Sequence, residues 1–127
     1  MTAIVFDSSV LIAILKQERG YEQGEALISQ ALVLTINLAE VATYLARQGA
    51  PFETIQAILG KFPCQIVDFT NELVAMSGFL YHQTKSFGLS LGDRSCLALA
   101  ITRNLPVLTA DTAWTNLSLS VDIQTIR

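Results

Sequence analysis

The sequence predicts an α/β domain, with a central, mostly parallel sheet of four to five strands flanked by helices on both faces. Two observations support this fold class. Short apolar runs rich in Val, Ile and Leu alternate along the chain with longer segments of helical periodicity. In addition, no linker, repeat or low-complexity tract divides the chain, so residues 1–127 are predicted to form one domain.

Strands are predicted where a short apolar run is bounded by polar or turn-forming residues. The first of these runs ends at Asp7, and the last is expected to lie at an edge of the sheet. The predicted strands cover residues 3–6, 32–35, 65–69, 106–109 and 121–123.

Helices are predicted where apolar residues recur three and four positions apart, and Gly, Pro and capping residues set their limits. Gly20 separates the first two helices, and Gly49 ends the third, which begins at Asn37. Pro51 suits the first turn of the fourth helix, and Gly88 ends a long fifth one. The predicted helices are 8–17, 21–30, 37–48, one that begins at Pro51, 71–87 and 91–104, with a short helix before the last strand.

The chain is rich in apolar residues, with 51% hydrophobic and only 15% charged residues. Because too few charges remain to cover the surface, we expect an exposed apolar patch that binds a partner or a second copy of the chain. No apolar run reaches the roughly 18 residues of a membrane span, and no basic segment precedes the first run, so we expect neither a membrane protein nor a signal peptide. Cys64 and Cys96 have no metal-like spacing, which predicts reduced thiols in a cytoplasmic protein.

Four acidic residues are placed where the predicted fold would bring them to one edge of the sheet. Asp7 and Asp111 follow predicted strands, and ligands of open α/β sheets bind beyond the carboxyl ends of the strands. Glu40 lies in the first helical turn after the second strand, and Asp93 lies near the start of the helix 91–104, which follows another helix rather than a strand. Converging carboxylates repel one another, so such a site needs a cation. Oxygen ligands without a His or Cys cluster favour Mg²⁺ or Mn²⁺ over Zn²⁺.

The net charge of −3 leaves a nucleic-acid substrate open. Removing the four candidate ligands leaves a charge of +1 on the rest of the chain, and bound cations would neutralise the ligands themselves. The charge balance therefore neither supports nor excludes a nucleic-acid partner.

Each acid taken alone also has a purely structural interpretation. Asn37 with Glu40, and Ser90 with Asp93, have the spacing of a capping box, in which each side chain accepts a hydrogen bond from the other residue's backbone. The other two acids could simply cap the helices that follow them. The four together are harder to explain in this way, because a fold that gathers them must raise their pKa values or bind a cation.

Three other residues have both a functional and a structural interpretation. Arg94 adjoins Asp93 and could meet a phosphate, but a structural ion pair or a solvated side chain is equally consistent with its position. Trp114 could stack on a base, although packing under the site is favoured. His82, the single histidine, has no second histidine or cysteine nearby in sequence, which favours a surface or packing role.

The segments around the four acids form a recognisable series in the sequence. They are Phe6-Asp7-Ser8-Ser9-Val10-Leu11-Ile12-Ala13, Asn37-Leu38-Ala39-Glu40-Val41, Leu89-Ser90-Leu91-Gly92-Asp93-Arg94 with Cys96-Leu97-Ala98-Leu99-Ala100, and Leu108-Thr109-Ala110-Asp111 with Trp114. In this order, and over nearly the whole chain, they resemble the PIN-domain family, and within it the VapC-type toxin ribonucleases of bacterial and archaeal toxin–antitoxin pairs.

The resemblance implies a single PIN-like domain that hydrolyses RNA phosphodiester bonds as a metal-dependent endoribonuclease, with one or two Mg²⁺ or Mn²⁺ ions. Ser9 matches a small hydroxyl position that helps to orient the first Asp or the metal ligands, and Arg94 is a further supporting candidate. The resemblance also implies a homodimer that is silenced by a VapB-like antitoxin. The residues to which it assigns catalysis and metal binding are Asp7, Glu40, Asp93 and Asp111.

The alternative function is a non-catalytic module of the same fold that binds RNA or a protein, which the sequence leaves open. Two other enzyme or signalling classes are disfavoured by the residues themselves. A phosphatase with an aspartyl nucleophile needs a second Asp two positions after Asp7, where this chain has Ser9. A receiver-like domain would need a paired acid before Asp7 and a lysine after a later strand, and neither is evident.

Overall fold

Five short strands form one parallel sheet in the computed structural model, which describes residues 2–127. The strands are β1 Ile4–Phe6, β2 Ala31–Leu34, β3 Gln65–Val67, β4 Val107–Thr109 and β5 Ile123–Thr125. Their order across the sheet is β3-β2-β1-β4-β5, and each neighbouring pair is parallel. The predicted α/β class is confirmed. β1 lies at the centre of the sheet, between β2 and β4.

The helices lie on both faces of this sheet and connect its strands. They are α1 Ser8–Lys16, α2 Tyr21–Leu27, α3 Thr35–Arg47, α4 Phe52–Leu59, α5 Asn71–Phe79, α6 Tyr81–Thr84 and α7 Leu91–Arg103. Short 3-10 helices follow α2, α6 and β4, at Ile28–Gln30, Lys85–Phe87 and Thr112–Asn116.

Several predicted limits were wrong. The second helix ends at Leu27 rather than at residue 30, the last strand covers Ile123–Thr125 rather than 121–123, and two further helices differ as follows. The long helix predicted over 71–87 is divided at Leu80 into α5, α6 and a 3-10 turn. Gly78 is a poor helix former, and the Thr84 hydroxyl donates to the Leu80 carbonyl at 2.8 Å, a side-chain bond that competes with regular helix geometry. The helix predicted from Asn37 begins two residues earlier, at Thr35, because β2 runs into it directly with Leu34 as the capping residue.

The core consists of two apolar layers, one on each face of the sheet. Successive residues of the central strand point to opposite layers, with Phe6 packed beside α1 and α3 and Val5 packed beside α5 and α7. Trp114 is fully buried in the same apolar layer as α7, so the packing interpretation of this residue is confirmed. Burial on both faces is the usual state of an all-parallel sheet and explains why its strands are continuous apolar runs.

Several large apolar side chains remain exposed, as the low share of charged residues predicts. The most exposed are Phe52 at 68% and Phe79 at 61%, and others cluster in sequence between α5 and the start of α7, namely Tyr81, Phe87 and Leu91. Cys64 and Cys96 are both free thiols within residues 2–127. In the same residues, no helix combines the length and apolar character needed to cross a membrane.

Candidate active site

The sheet topology brings the four predicted acids to the carboxyl edge of the central strands. Asp7 directly follows β1, and Asp111 lies two residues beyond the adjacent β4. Glu40 lies in the second turn of α3, which starts where β2 ends, and Asp93 lies in the first turn of α7. The four acids are near enough to interact, since the charges of Asp93 and Glu40 raise the pKa of Asp7 and that of Asp111 raises the pKa of Asp93.

Asp7 is the most deeply buried acid of this group, at 2% exposure. Its Oδ2 oxygen accepts hydrogen bonds from the Ser9 hydroxyl at 2.6 Å and the Thr109 hydroxyl at 3.1 Å, whereas its Oδ1 oxygen is buried without a partner in the described part of the chain. Burial is the main reason that the pKa of Asp7 rises from 3.8 to about 7. A buried carboxylate oxygen left unpaired by protein groups is costly and is suited to a cation.

The capping interpretation of Asp7 does not describe its contacts. The residue stands at the N-cap of α1, but among residues 2–127 its side chain accepts no backbone N–H of that helix. Its two donors are side-chain hydroxyls, Ser9 in the first turn of α1 and Thr109 at the end of β4, so these contacts orient the carboxylate at the site rather than cap the helix.

Thr109 is a fully buried residue of this site that the sequence reasoning missed. Its hydroxyl donates to Asp7 and accepts the backbone N–H of Asp111 at 3.1 Å. Ser9 makes the parallel connection, because its hydroxyl donates to Asp7 and accepts the N–H of Ala110 at 2.9 Å. The two hydroxyls therefore tie the first acid to the loop that carries the last one. The available signal was a hydroxyl residue at the end of β4, beside the end of β1.

Glu40 is fixed from its own helix and from α7. The Asn37 side-chain amide donates to Glu40 Oε1 at 2.9 Å and to the Gly92 carbonyl at 3.1 Å. Asn37 is a buried residue inside α3, and the prediction that it caps the helix and forms a capping box with Glu40 was wrong. The Asn37 amide instead connects Glu40 to α7, the helix that carries Asp93.

Asp93 combines a structural role with a place in the acidic group. The predicted capping box is confirmed, with Asp93 Oδ2 accepting the Ser90 N–H at 3.0 Å and the Ser90 hydroxyl accepting the Asp93 N–H at 3.1 Å. Burial raises the pKa of Asp93, the bonds from Ser90 lower it, and the charge of Asp111 raises it further. Asp111 itself is exposed, and its Oδ1 oxygen accepts the Ala113 N–H at 3.0 Å, so the capping interpretation is correct for this acid as well.

The donor set suits a hard divalent cation, although the side chains do not form a closed cage. No three His, Cys, Asp or Glu side chains of residues 2–127 lie close enough together to ligate one ion. Mg²⁺ commonly takes one or two carboxylates and completes its shell with water and substrate phosphate. The open arrangement of carboxylates around Asp7 fits this pattern better than an all-protein site.

Cys96 lies beneath the acids, one turn after Asp93 on α7, and is fully buried. Burial raises its pKa well above the ordinary value, and the charges of Asp7, Asp93 and Glu40 raise it further. The thiol therefore stays protonated at neutral pH and does not supply a thiolate ligand. This leaves oxygen ligands at the site and disfavours a soft metal.

Arg94 makes structural contacts. Its Nε donates to the Ser77 carbonyl and its Nη1 to the Leu89 carbonyl, both at 3.0 Å, and its guanidinium lies 5.7 Å from the centre of the Tyr81 ring. These contacts hold the end of α5 against the loop before α7. Both hydrogen bonds go to backbone carbonyls, so the role is structural, but the ion pair that the sequence left open is absent among residues 2–127.

A family model for the PIN domain matches residues 4–118. The chain belongs to the PIN domain family. As a PIN domain it resembles several solved proteins in fold, which agrees with the resemblance seen in the motifs around its acids. No curated protein matches the chain at a significant level.

Three solved structures illustrate the similarity of this PIN domain to known proteins. DNA-bound VapBC from Salmonella typhimurium is 19% identical, with a TM-score of 0.77 and 100% coverage of both chains. A toxin–antitoxin complex from Klebsiella pneumoniae is 21% identical, with a TM-score of 0.73 and 98% coverage of both chains. VapC20 from Mycobacterium tuberculosis, a toxin that cleaves the sarcin–ricin loop, is 15% identical, with a TM-score of 0.72 and coverage of 94% of this chain and 99% of its own.

Proposed function

We propose that this PIN domain is a metal-dependent endoribonuclease and the toxin component of a VapBC-like toxin–antitoxin pair. The observation that carries the proposal is the buried Asp7 carboxylate, whose Oδ2 oxygen is held by two hydroxyls while its Oδ1 oxygen is left to the acidic site. Two further facts support it. The family model spans the segments that contain all four acids, and the similar folds include toxin–antitoxin complexes and an RNA-cleaving toxin.

In the proposed mechanism, Asp7 and Asp93 would hold one or two Mg²⁺ or Mn²⁺ ions, and Glu40 and Asp111 would hold them directly or through water. The metal would supply a water of lowered pKa and would offset the charge that builds on the phosphoryl oxygens. Ser9 and Thr109 act by holding Asp7 Oδ2, so that the other oxygen keeps its direction.

The first test is cleavage of RNA by the wild-type protein, by Asp93→Asn and by the control Asp68→Asn. Asp68 is an exposed acid after β3, outside the group, and its loss should leave cleavage unchanged. Asp93→Asn keeps an acceptor for the Ser90 N–H but loses the charge, so cleavage should fall by more than the roughly 10–100-fold that the loss of an outer-shell partner costs. EDTA should abolish wild-type cleavage, and added Mn²⁺ or Mg²⁺ should restore it. Full activity in EDTA or in Asp93→Asn would contradict the proposal.

The proposed partners are an RNA substrate, a VapB-like antitoxin and a second copy of the chain. The exposed apolar side chains around α6, among them Phe79 and Tyr81, support self-association because they leave apolar surface uncovered in the monomer. Light scattering should therefore give twice the monomer mass of 13.8 kDa. A mass that stays at the monomer value at concentrations well above micromolar would contradict the homodimer.

A further inference from the structure

The Glu40 carboxylate lies directly against Gly92 in the first turn of α7. A Cβ atom added to Gly92 would overlap the carboxyl carbon and both oxygens of Glu40. The same carboxylate accepts a hydrogen bond from Asn37, whose amide also reaches the Gly92 carbonyl. Three residues from two helices therefore meet at one carboxylate.

We infer that Asn37 and Gly92 form a cradle that positions the Glu40 carboxylate for the proposed metal site. The role of the cradle in metal binding rests on the proposed function. The cradle itself is defined by the contacts among Asn37, Gly92 and Glu40. Both are positioning residues, since each acts through Glu40 rather than on the substrate or the metal.

The amide of Asn37 can adopt only one useful orientation. Two acceptors face it, Glu40 Oε1 and the Gly92 carbonyl, and only the NH₂ group has two hydrogens to donate. Reversing the amide would place its oxygen against both acceptors. The Asn37 Oδ1 oxygen is buried without a partner within residues 2–127. The two hydrogen bonds donated by the NH₂ group therefore determine the orientation of the amide. A long, flexible Glu side chain is thereby held in one conformation.

The backbone conformation at Gly92 does not require glycine. Its φ is outside the left-handed region, and it lies within a helix, where alanine is a better helix former. The need for glycine at this position is instead steric, because the Glu40 carboxylate occupies the volume that a Cβ would need. The glycine thus lets Glu40 approach the helix that carries Asp93.

The cradle predicts a coupling between Gly92→Ala and Glu40. In a Glu40→Ala background Gly92→Ala should be neutral or raise the melting temperature of the metal-free protein, because the space is vacant and alanine favours the helix. In the wild-type background the added Cβ must displace the Glu40 carboxylate from its hydrogen bond with Asn37, so the change in melting temperature should be less favourable by roughly 5 °C than in the Glu40→Ala background. If Gly92→Ala has the same effect in both backgrounds, the cradle is wrong. This comparison needs no metal and no cleavage, so it stands apart from the test of the proposed function.

The positioning role is tested by Mn²⁺ titration of Asn37→Ala, followed by the rise in melting temperature. Loss of an outer-shell partner should weaken Mn²⁺ binding by roughly 10–100-fold, and RNA cleavage should show a lower kcat with little change in KM. A merely structural loss would lower the melting temperature but leave Mn²⁺ affinity unchanged, and that result would overturn the positioning role. If wild-type protein neither binds Mn²⁺ nor cleaves RNA, the proposed function fails, while the coupling of Gly92 to Glu40 is still decided by the metal-free experiment.

Discussion

Replacing Asp7 by Asn is expected to abolish RNA cleavage and, at pH 8, to stabilise the metal-free protein. Loss of activity follows from removing the carboxylate oxygen that is left to the metal. The gain in stability follows from burial, because the pKa of Asp7 is raised from 3.8 to about 7 in the folded protein. At pH 8 the wild-type protein must hold a buried charge, whereas asparagine keeps the shape and an acceptor for Ser9 and Thr109 without that charge.

The same pKa shift gives the metal-free wild-type protein a defined dependence of stability on pH. Below pH 3.8 the carboxyl is protonated in both the folded and the unfolded chain. As the pH rises from there through about 7, the folded protein keeps a proton that the unfolded chain has lost, so the free energy of unfolding falls. The total loss from Asp7 is about 4 kcal/mol, reached just above pH 7. Asp93, whose pKa is also raised, adds to the loss in the same direction.

Urea unfolding in EDTA between pH 4 and pH 8, below the range in which the raised pKa values of Cys64 and Cys96 begin to contribute, would measure this dependence. Asp7→Asn should retain only the weaker slope that comes from Asp93, and the control Asp68→Asn should follow the wild-type curve. Mn²⁺ at pH 8 should raise the melting temperature of the wild type by mass action and should leave Asp7→Asn unchanged. A wild-type stability that does not vary over this range, or an equal slope in Asp7→Asn, would show that burial of Asp7 carries no such penalty.

The sequence predicts the edge at which Asp7 and Asp111 lie because their placement follows from topology. Parallel strands end at one edge, and a residue just after β1 or β4 must lie there. Local signals were also sufficient at Ser90, where the capping box spans only three residues. The fold class and the placement of these two acids therefore need no knowledge of side-chain packing, whereas the order of the strands was not predicted and Asp93 lies on a helix that follows another helix.

The contacts that orient the acids could not be predicted in this way, because they join distant parts of the chain. Asn37 reaches a carbonyl 55 residues away, and Thr109 donates to a carboxylate 102 residues away. The local spacing of Asn37 and Glu40 even suggested the wrong role, since a cap and a buried amide share the same sequence pattern. Which oxygen of a carboxylate is held and which is left to a cation depends on such long-range contacts.

The second substitution expected to have a large effect, here on the free energy of unfolding, is Gly20→Ala. Gly20 lies in the turn between α1 and α2 with φ at +90°. A Cβ here would overlap the backbone carbonyl of Ile126, which cannot rotate away as a flexible side chain can. Gly49 is a matched control, with φ at +89° and nothing among the described residues within 4 Å of its added Cβ. Gly49→Ala should therefore cost only the roughly 1–2 kcal/mol of a left-handed backbone, and Gly20→Ala should cost about 2 kcal/mol more.

The displacement of Ile126 by Gly20→Ala should also disturb the acidic site. The Ile126 N–H donates to the Thr109 carbonyl at 3.1 Å, and Arg127 Nη1 donates to the Ala110 carbonyl at 2.7 Å, directly before Asp111. Moving the chain at Ile126 would loosen both bonds, so Gly20→Ala should bind Mn²⁺ more weakly than Gly49→Ala, which lies at the end of α3 away from these contacts. Urea unfolding and Mn²⁺ titration of the two variants side by side would measure both effects. Equal losses of stability would mean that the Ile126 carbonyl does not resist the added Cβ. Equal Mn²⁺ affinities would mean that Ile126 and Arg127 do not hold the Asp111 loop in place.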